Sequence, residues 1–138
     1  MTKYLAAYVA TAFVTVVVDL VWLGFIAKPF YQQGIGHVMA SAPRLVPALL
    51  FYLIFPQGLV VFAVLPHVDV GSWRDVLRMG VLFGFFAYAT YDLTNLARLK
   101  AWPISLSIVD MAWGSTVSGA ASVSGFFAAK RAIHSYPI

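Results

Sequence analysis

Three aspartates stand inside otherwise apolar runs of this chain: Asp19, Asp92 and Asp110. A carboxyl group in hydrocarbon is expensive and by default marks a site turned toward the protein interior. The chemistry open to such a trio is proton handling, capture of a polar or cationic head, or acid–base work by one protonated and one ionised acid. Asp19-Leu20-Val21-Trp22 and Asp110-Met111-Ala112-Trp113 share the pattern D-x-x-W. In a helix that spacing puts each indole one turn from its acid, with an N–H able to donate to it. Around Asp92, Asn95 takes the same i+3 place, Tyr88 lies at i−4 and Tyr91 is adjacent. Asp19, Asp92, Asp110, Asn95, Trp22, Trp113, Tyr88 and Tyr91 are therefore the candidate ligand- or proton-binding residues. Asp92, with the densest polar surroundings, is expected at their centre.

No catalytic role, metal or cofactor is assigned. The chain lacks cysteine, which removes thiolate metal sites and a cysteine nucleophile. No helix carries H-x-x-x-H or E-x-x-H, and no phosphate loop or G-x-S-x-G is present. His67 and His134 fall outside the apolar runs, and the serines of the last run read as packing residues.

The elements that must position these acids follow from composition. Apolar residues make up 62% of 138 positions and charged residues 10%. Soluble domains have about 45–50% and about 25%. So few charges cannot cover a globular surface, and the solvent is the lipid bilayer. The nine basic residues sit singly or in pairs at the ends of apolar runs. That is the distribution of membrane anchors, and it argues against nucleic acid as a partner.

The apolar runs predict four spans at about 3–27, 45–65, 74–97 and 105–129, in an all-α, four-helix up-down bundle with short loops. The whole chain, 1–138, is read as a single transmembrane domain. The first run is too long for the apolar part of a signal peptide. On it Tyr4, Tyr8, Thr11, Thr15 and Asp19 form a polar stripe, with Phe13, Val17 and Leu20 facing lipid. On the third run Gly84, Phe85, Tyr88, Asp92 and Asn95 share a face. Residues 28–43 form the longest connection, with Phe30, Tyr31, Ile35 and Val38 suited to a short interfacial helix. Pro47 and Pro56 interrupt the second run and predict a kink. The fourth run repeats small residues at Gly114, Ser118 and Ser122, a spacing that lets helices approach closely. That stripe is a candidate seam for a homodimer.

In an up-down bundle the ends nearest the three acids lie on one side of the membrane. At 1.5 Å per residue each acid then sits roughly 7–12 Å below that surface. Opposed chain directions turn Trp22 toward the surface and Trp113 toward the membrane centre. Three ionised carboxylates at one depth require protons, a bound cation or basic partners, for which Lys28, Arg44, Arg98, Lys100 and His37 are the candidates on that side. Five basic residues against four favour both termini in the cytoplasm.

With Asp19-Leu20-Val21-Trp22-Leu23-Gly24, Tyr91-Asp92-Leu93-Thr94-Asn95 and Asp110-Met111-Ala112-Trp113-Gly114 in place, the chain resembles a family of small bacterial predicted inner-membrane proteins catalogued as a domain of unknown function. The resemblance spans nearly the whole chain. It implies four transmembrane helices in a bacterial inner membrane and supplies no activity.

Three functions remain open from the residues. The first is an intramembrane acidic and aromatic site that binds or processes a small or lipid-like ligand. The second is a proton- or cation-coupled transporter acting as a dimer, and the third is a structural subunit of a membrane complex. Whether the chain is an enzyme is left undecided by its residues.

Overall fold

The computed structural model describes residues 1–135; the end of the C-terminal tail, 136–138, lies outside them. Helix α1 (Thr2–Val21) runs into a π-helical turn (Trp22–Ile26). A connecting helix α2 (Lys28–Ile35) and a 3-10 turn (Gly36–Val38) follow. Helix α3 (Leu45–Leu59) continues through a second π-helical turn (Val60–Val64) into α4 (Leu65–Val68). Two long helices complete the chain, α5 (Trp73–Arg98) and α6 (Ile104–Ser135). No strand occurs among the described residues.

Three helical stretches are long and apolar enough to cross a membrane: Thr2–Ile26, Leu45–Val68 and Trp73–Arg98. The second passes the expected end at Leu65. Their outer faces carry large apolar side chains with nothing over them, such as Phe13 at 67%, Phe25 at 84% and Phe86 at 64% exposure. The segment expected as a fourth span, 105–129, is helical throughout and extends to Ser135, but it falls short of the other three in apolarity. The reason is its position. Helix α6 lies between α1 and α5 and buries Gly114, Ser118, Gly119, Ser122 and Gly125 against protein. A helix sheltered by its neighbours can exchange leucine for serine and glycine, because close packing replaces lipid contact.

The packing is specific at the glycines. A Cβ on Gly84 would overlap Gly114 O and Ser118, and one on Gly80 would overlap Ser122. A Cβ on Gly125 would overlap Thr11. The Gly114/Ser118/Ser122 stripe is therefore used up inside the chain, against α5. It is not available as a dimer seam. Phe85, expected on the inner face of α5, is 43% exposed, and Val76, Gly80, Gly84 and Asp92 form that face.

Neighbouring long helices run antiparallel. Asp19 meets Trp113 and Thr11 meets Gly125 between α1 and α6, while Gly84 meets Ser118 and Gly80 meets Ser122 between α5 and α6. One end of the molecule is closed by an apolar cluster that includes Ala7, Val64, Val76 and Phe126. There Lys3 forms an ion pair with Asp69 at 2.8 Å. Ser72 starts α5 with a capping box: its N–H and hydroxyl donate to the Asp75 carboxylate at 3.0 and 2.8 Å.

Pro47 lies in the first turn of α3, where no intrahelical N–H bond is due. Pro56 sits inside α3, which continues through it and widens into the π-helical turn one turn later. At the other end, Ala101 holds a left-handed φ of 58° in the turn between α5 and α6. Trp102 follows, buried with Ile35 and Leu106, and its indole N–H donates to Ser107 Oγ at 3.0 Å. Ile35 ties α2 to this corner, and that tie positions the site.

Candidate ligand-binding site

The two D-x-x-W segments meet, but not as the spacing alone suggests. Trp113 Nε1 donates to Asp19 Oδ1 at 3.0 Å, across the helix pair and not to its own Asp110. The indoles of Trp22 and Trp113 stack with centroids 4.2 Å apart and planes within 7°. Both rings therefore lie at one depth, which corrects the expectation that they diverge toward surface and centre. The consequence is a stagger: with Trp113 level with Asp19 and Trp22, Asp110 lies about one turn nearer the end of the bundle. The acids form a step, not a flat layer.

The π-helical turn belongs to this arrangement. Ala27 N–H donates to Trp22 O at 2.8 Å, an i→i+5 bond that inserts one extra residue into the last turn of the helix. Such turns recur at functional sites. After it α2 brings Tyr31 back over the bundle, where its hydroxyl donates to Asp110 Oδ1. Burial, followed by the bond to Asp110, pushes the Tyr31 phenol well above its ordinary value. Tyr52 of α3 donates to Asp19 Oδ2 at 2.9 Å.

Sequence reasoning missed Tyr31 and Tyr52. A tyrosine is not costly at a membrane interface and raises no alarm. The available signal was depth: α3 begins on the side where α1 and α5 end, and Tyr52 lies seven residues after Leu45, roughly 10 Å down.

A cavity of about 490 Å³ opens among α1, α2, α3, α5 and α6. Asp19, Asp110, Trp22, Trp113, Tyr31, Tyr52, Tyr88 and Tyr91 line it, with Phe51 and Phe55 completing an aromatic wall. Tyr88 packs against Gly114, where any Cβ would overlap its ring, and contacts Phe55 edge-on at 6.1 Å. Tyr91 is half exposed and meets Trp102 edge-on at 6.0 Å. The small residue at Gly114 is thus what lets Tyr88 reach the cavity.

Two candidates stand apart. Asp92 is 0% exposed and does not line the cavity. It lies beside Asp110 and Ser107, yet among the described residues neither of its carboxyl oxygens has a hydrogen-bond partner. It is behind the site, not at its centre as its sequence neighbours suggested. Asn95 is half buried near Tyr91 and also lies outside the cavity wall.

The basic residues expected to compensate the acids do not do so. Among the described residues the ion pairs are Lys3–Asp69 and Asp75–Arg78, and neither involves the three acids. The donors that face Asp19 and Asp110 are neutral phenols and an indole. The cavity thus presents carboxyl groups, and a wall of aromatic faces, without a protein cation.

No curated protein and no solved structure matches the chain. A family model does, over residues 4–127, and its description is "Predicted membrane protein (DUF2177)". That match covers both D-x-x-W segments and every residue of the cavity wall, and the chain belongs to this family of membrane proteins of unknown function.

Proposed function

We propose that the chain is a single transmembrane domain, a four-helix up-down bundle in a bacterial inner membrane with both termini cytoplasmic. Its cavity binds a small or lipid-like molecule by a polar or cationic head. Helix α6 is the fourth span, shielded from lipid by α1 and α5. The observation that carries this reading is the cavity of about 490 Å³, with two carboxyl groups inside an aromatic wall and no basic side chain among their partners. Its size is that of small-molecule sites, which run from about 300 to 1,000 Å³. The aromatic rings suit an apolar body and the acids suit its head.

Diazirine-bearing alkyl probes with an amine or a quaternary ammonium head test this in protein reconstituted in detergent. Photolabelling by at least one of them should concentrate on cavity residues such as Leu23 and Tyr52, compete with its unlabelled parent, and weaken in Asp19→Asn. Labels spread over lipid-facing Phe13 and Phe86, with no cavity preference and no effect of Asp19→Asn, would reject the site.

A further inference from the structure

We infer that the head this cavity selects is a permethylated ammonium, a cation that has no N–H to donate. The inference rests on the cavity reading above and names the ligand class for it.

Both oxygens of Asp19 already accept a hydrogen bond, Oδ1 from Trp113 and Oδ2 from Tyr52. Trp113 can only donate and the Tyr52 hydroxyl is able to, so an ionised Asp19 fits both partners as they stand. Asp110 Oδ1 likewise accepts from Tyr31. Each of these three oxygens thus has its first partner inside the protein, and a charge on either acid would be left for a ligand to balance. Among the described residues, the wall also buries Trp22 Nε1 without a hydrogen-bond partner, and that atom is itself a donor. A primary ammonium would bring up to three more donors to a wall already rich in them. For these, Asp110 Oδ2 is the one oxygen of the two acids with no protein donor among the described residues, and the other three offer only a second lone pair beside Tyr31, Tyr52 or Trp113.

A permethylated head has the opposite profile. It carries the charge that Asp19 and Asp110 attract at a distance, and its methyl surface meets aromatic rings by cation–π and apolar contact. Rings of Trp22, Trp113, Tyr31, Tyr52 and Tyr88 stand around the two acids in one wall. An aromatic box with nearby carboxylates is the arrangement that recognises such cations. A metal cation fits poorly, because it needs several free oxygen ligands and three of the oxygens here are engaged.

The test titrates wild-type protein in dodecyl maltoside with benzyltrimethylammonium, benzylammonium and the neutral isostere neopentylbenzene, following tryptophan fluorescence and calorimetry. Benzyltrimethylammonium is expected to bind about tenfold more tightly than the other two. Asp19→Asn, which keeps size and polarity, should lose most of that preference. Trp22→Leu should also lose it, and Trp22→Phe should retain part. Each variant's melting temperature reports whether it is folded, and the wild-type comparison stands even where a variant is not. Equal or tighter binding of benzylammonium overturns the permethylated head and leaves the cavity reading intact. Equal binding of neopentylbenzene overturns a cationic head altogether. Absence of binding by all three overturns this inference together with the proposed function.

Discussion

Trp22 and Trp113 stack face to face at 4.2 Å although about two thirds of the chain separates them. One indole follows Asp19 and the other donates to it, so the stack and the acid share a single fixed register between α1 and α6. A double-mutant cycle with Trp22→Leu and Trp113→Leu should give a coupling of about 1 kcal/mol, the size of an aromatic pair beyond its area. Unfolding in mixed micelles provides the measurement. Additive losses would mean that the rings are neighbours without mutual support.

Asp19 and Asp92 should respond differently to substitution. Asp19→Ala strands the Tyr52 hydroxyl and the Trp113 N–H, a loss of roughly 2–3 kcal/mol. Asp92→Asn removes a carboxyl group with no hydrogen-bond partner and should leave the melting temperature unchanged or raised. A large drop for Asp92→Asn would show that its carboxyl group is engaged after all.

The glycine contacts set a third expectation. Gly84→Ala places a methyl group on Gly114 O and Ser118 and should destabilise by about 1–3 kcal/mol. Ser118→Leu should be worse. Because Ser118 is buried within the chain, neither change should alter oligomeric state, as read by light scattering. Dissociation of an oligomer by Ser118→Leu would contradict the intrachain role of the stripe.

Tyr31 gives a pH expectation. Its phenol is held above the ordinary value, first by burial and then by Asp110. The folded state thus keeps its proton longer than the unfolded chain does. The resulting stability is complete below the unfolded value of about 10 and is lost as pH rises beyond it. Melting temperatures measured upward from pH 9 should fall for the wild type, and less steeply for Tyr31→Phe. Parallel curves would show that Tyr31 makes no such contribution.

The crossing of α6 is open to direct measurement because the chain has no native cysteine. Single cysteines at Gly36 and Lys100 should react with an impermeant maleimide from one side of sealed vesicles, and those at Asp69 and Lys130 from the other. Labelling of Lys100→Cys and Lys130→Cys from the same side would refute a fourth span.

What could be read from the sequence was what is costly. Carboxyl groups in apolar runs announced Asp19 and Asp110, and small-residue spacing announced that one face of α6 packs closely. The destination of that face was hidden, since Gly114/Ser118/Ser122 fits a second copy as well as it fits Gly80 and Gly84. Partner exchange was hidden too. Sequence spacing relates Trp113 to Asp110, whereas the actual acceptor, Asp19, is fixed by the register of two helices distant in the chain. Tyr31 entered through the path of a loop helix and a π-helical turn, neither of which leaves a periodic signal. Asp92 misled because its polar sequence neighbours point elsewhere, leaving the acid itself enclosed.

The modest apolarity of α6 bears on biogenesis. In the bundle proposed above, a segment rich in serine and glycine has little tendency to leave the translocon for acyl chains unaided. It follows α5 after a turn of only a few residues, and Gly80 and Gly84 await its serines there. Insertion as an α5–α6 hairpin, docked against an α1 already resident in the bilayer, gives Gly114, Ser118, Ser122 and Gly125 a protein surface before they meet lipid. In that scheme the most dependent helix follows both of the helices it packs against.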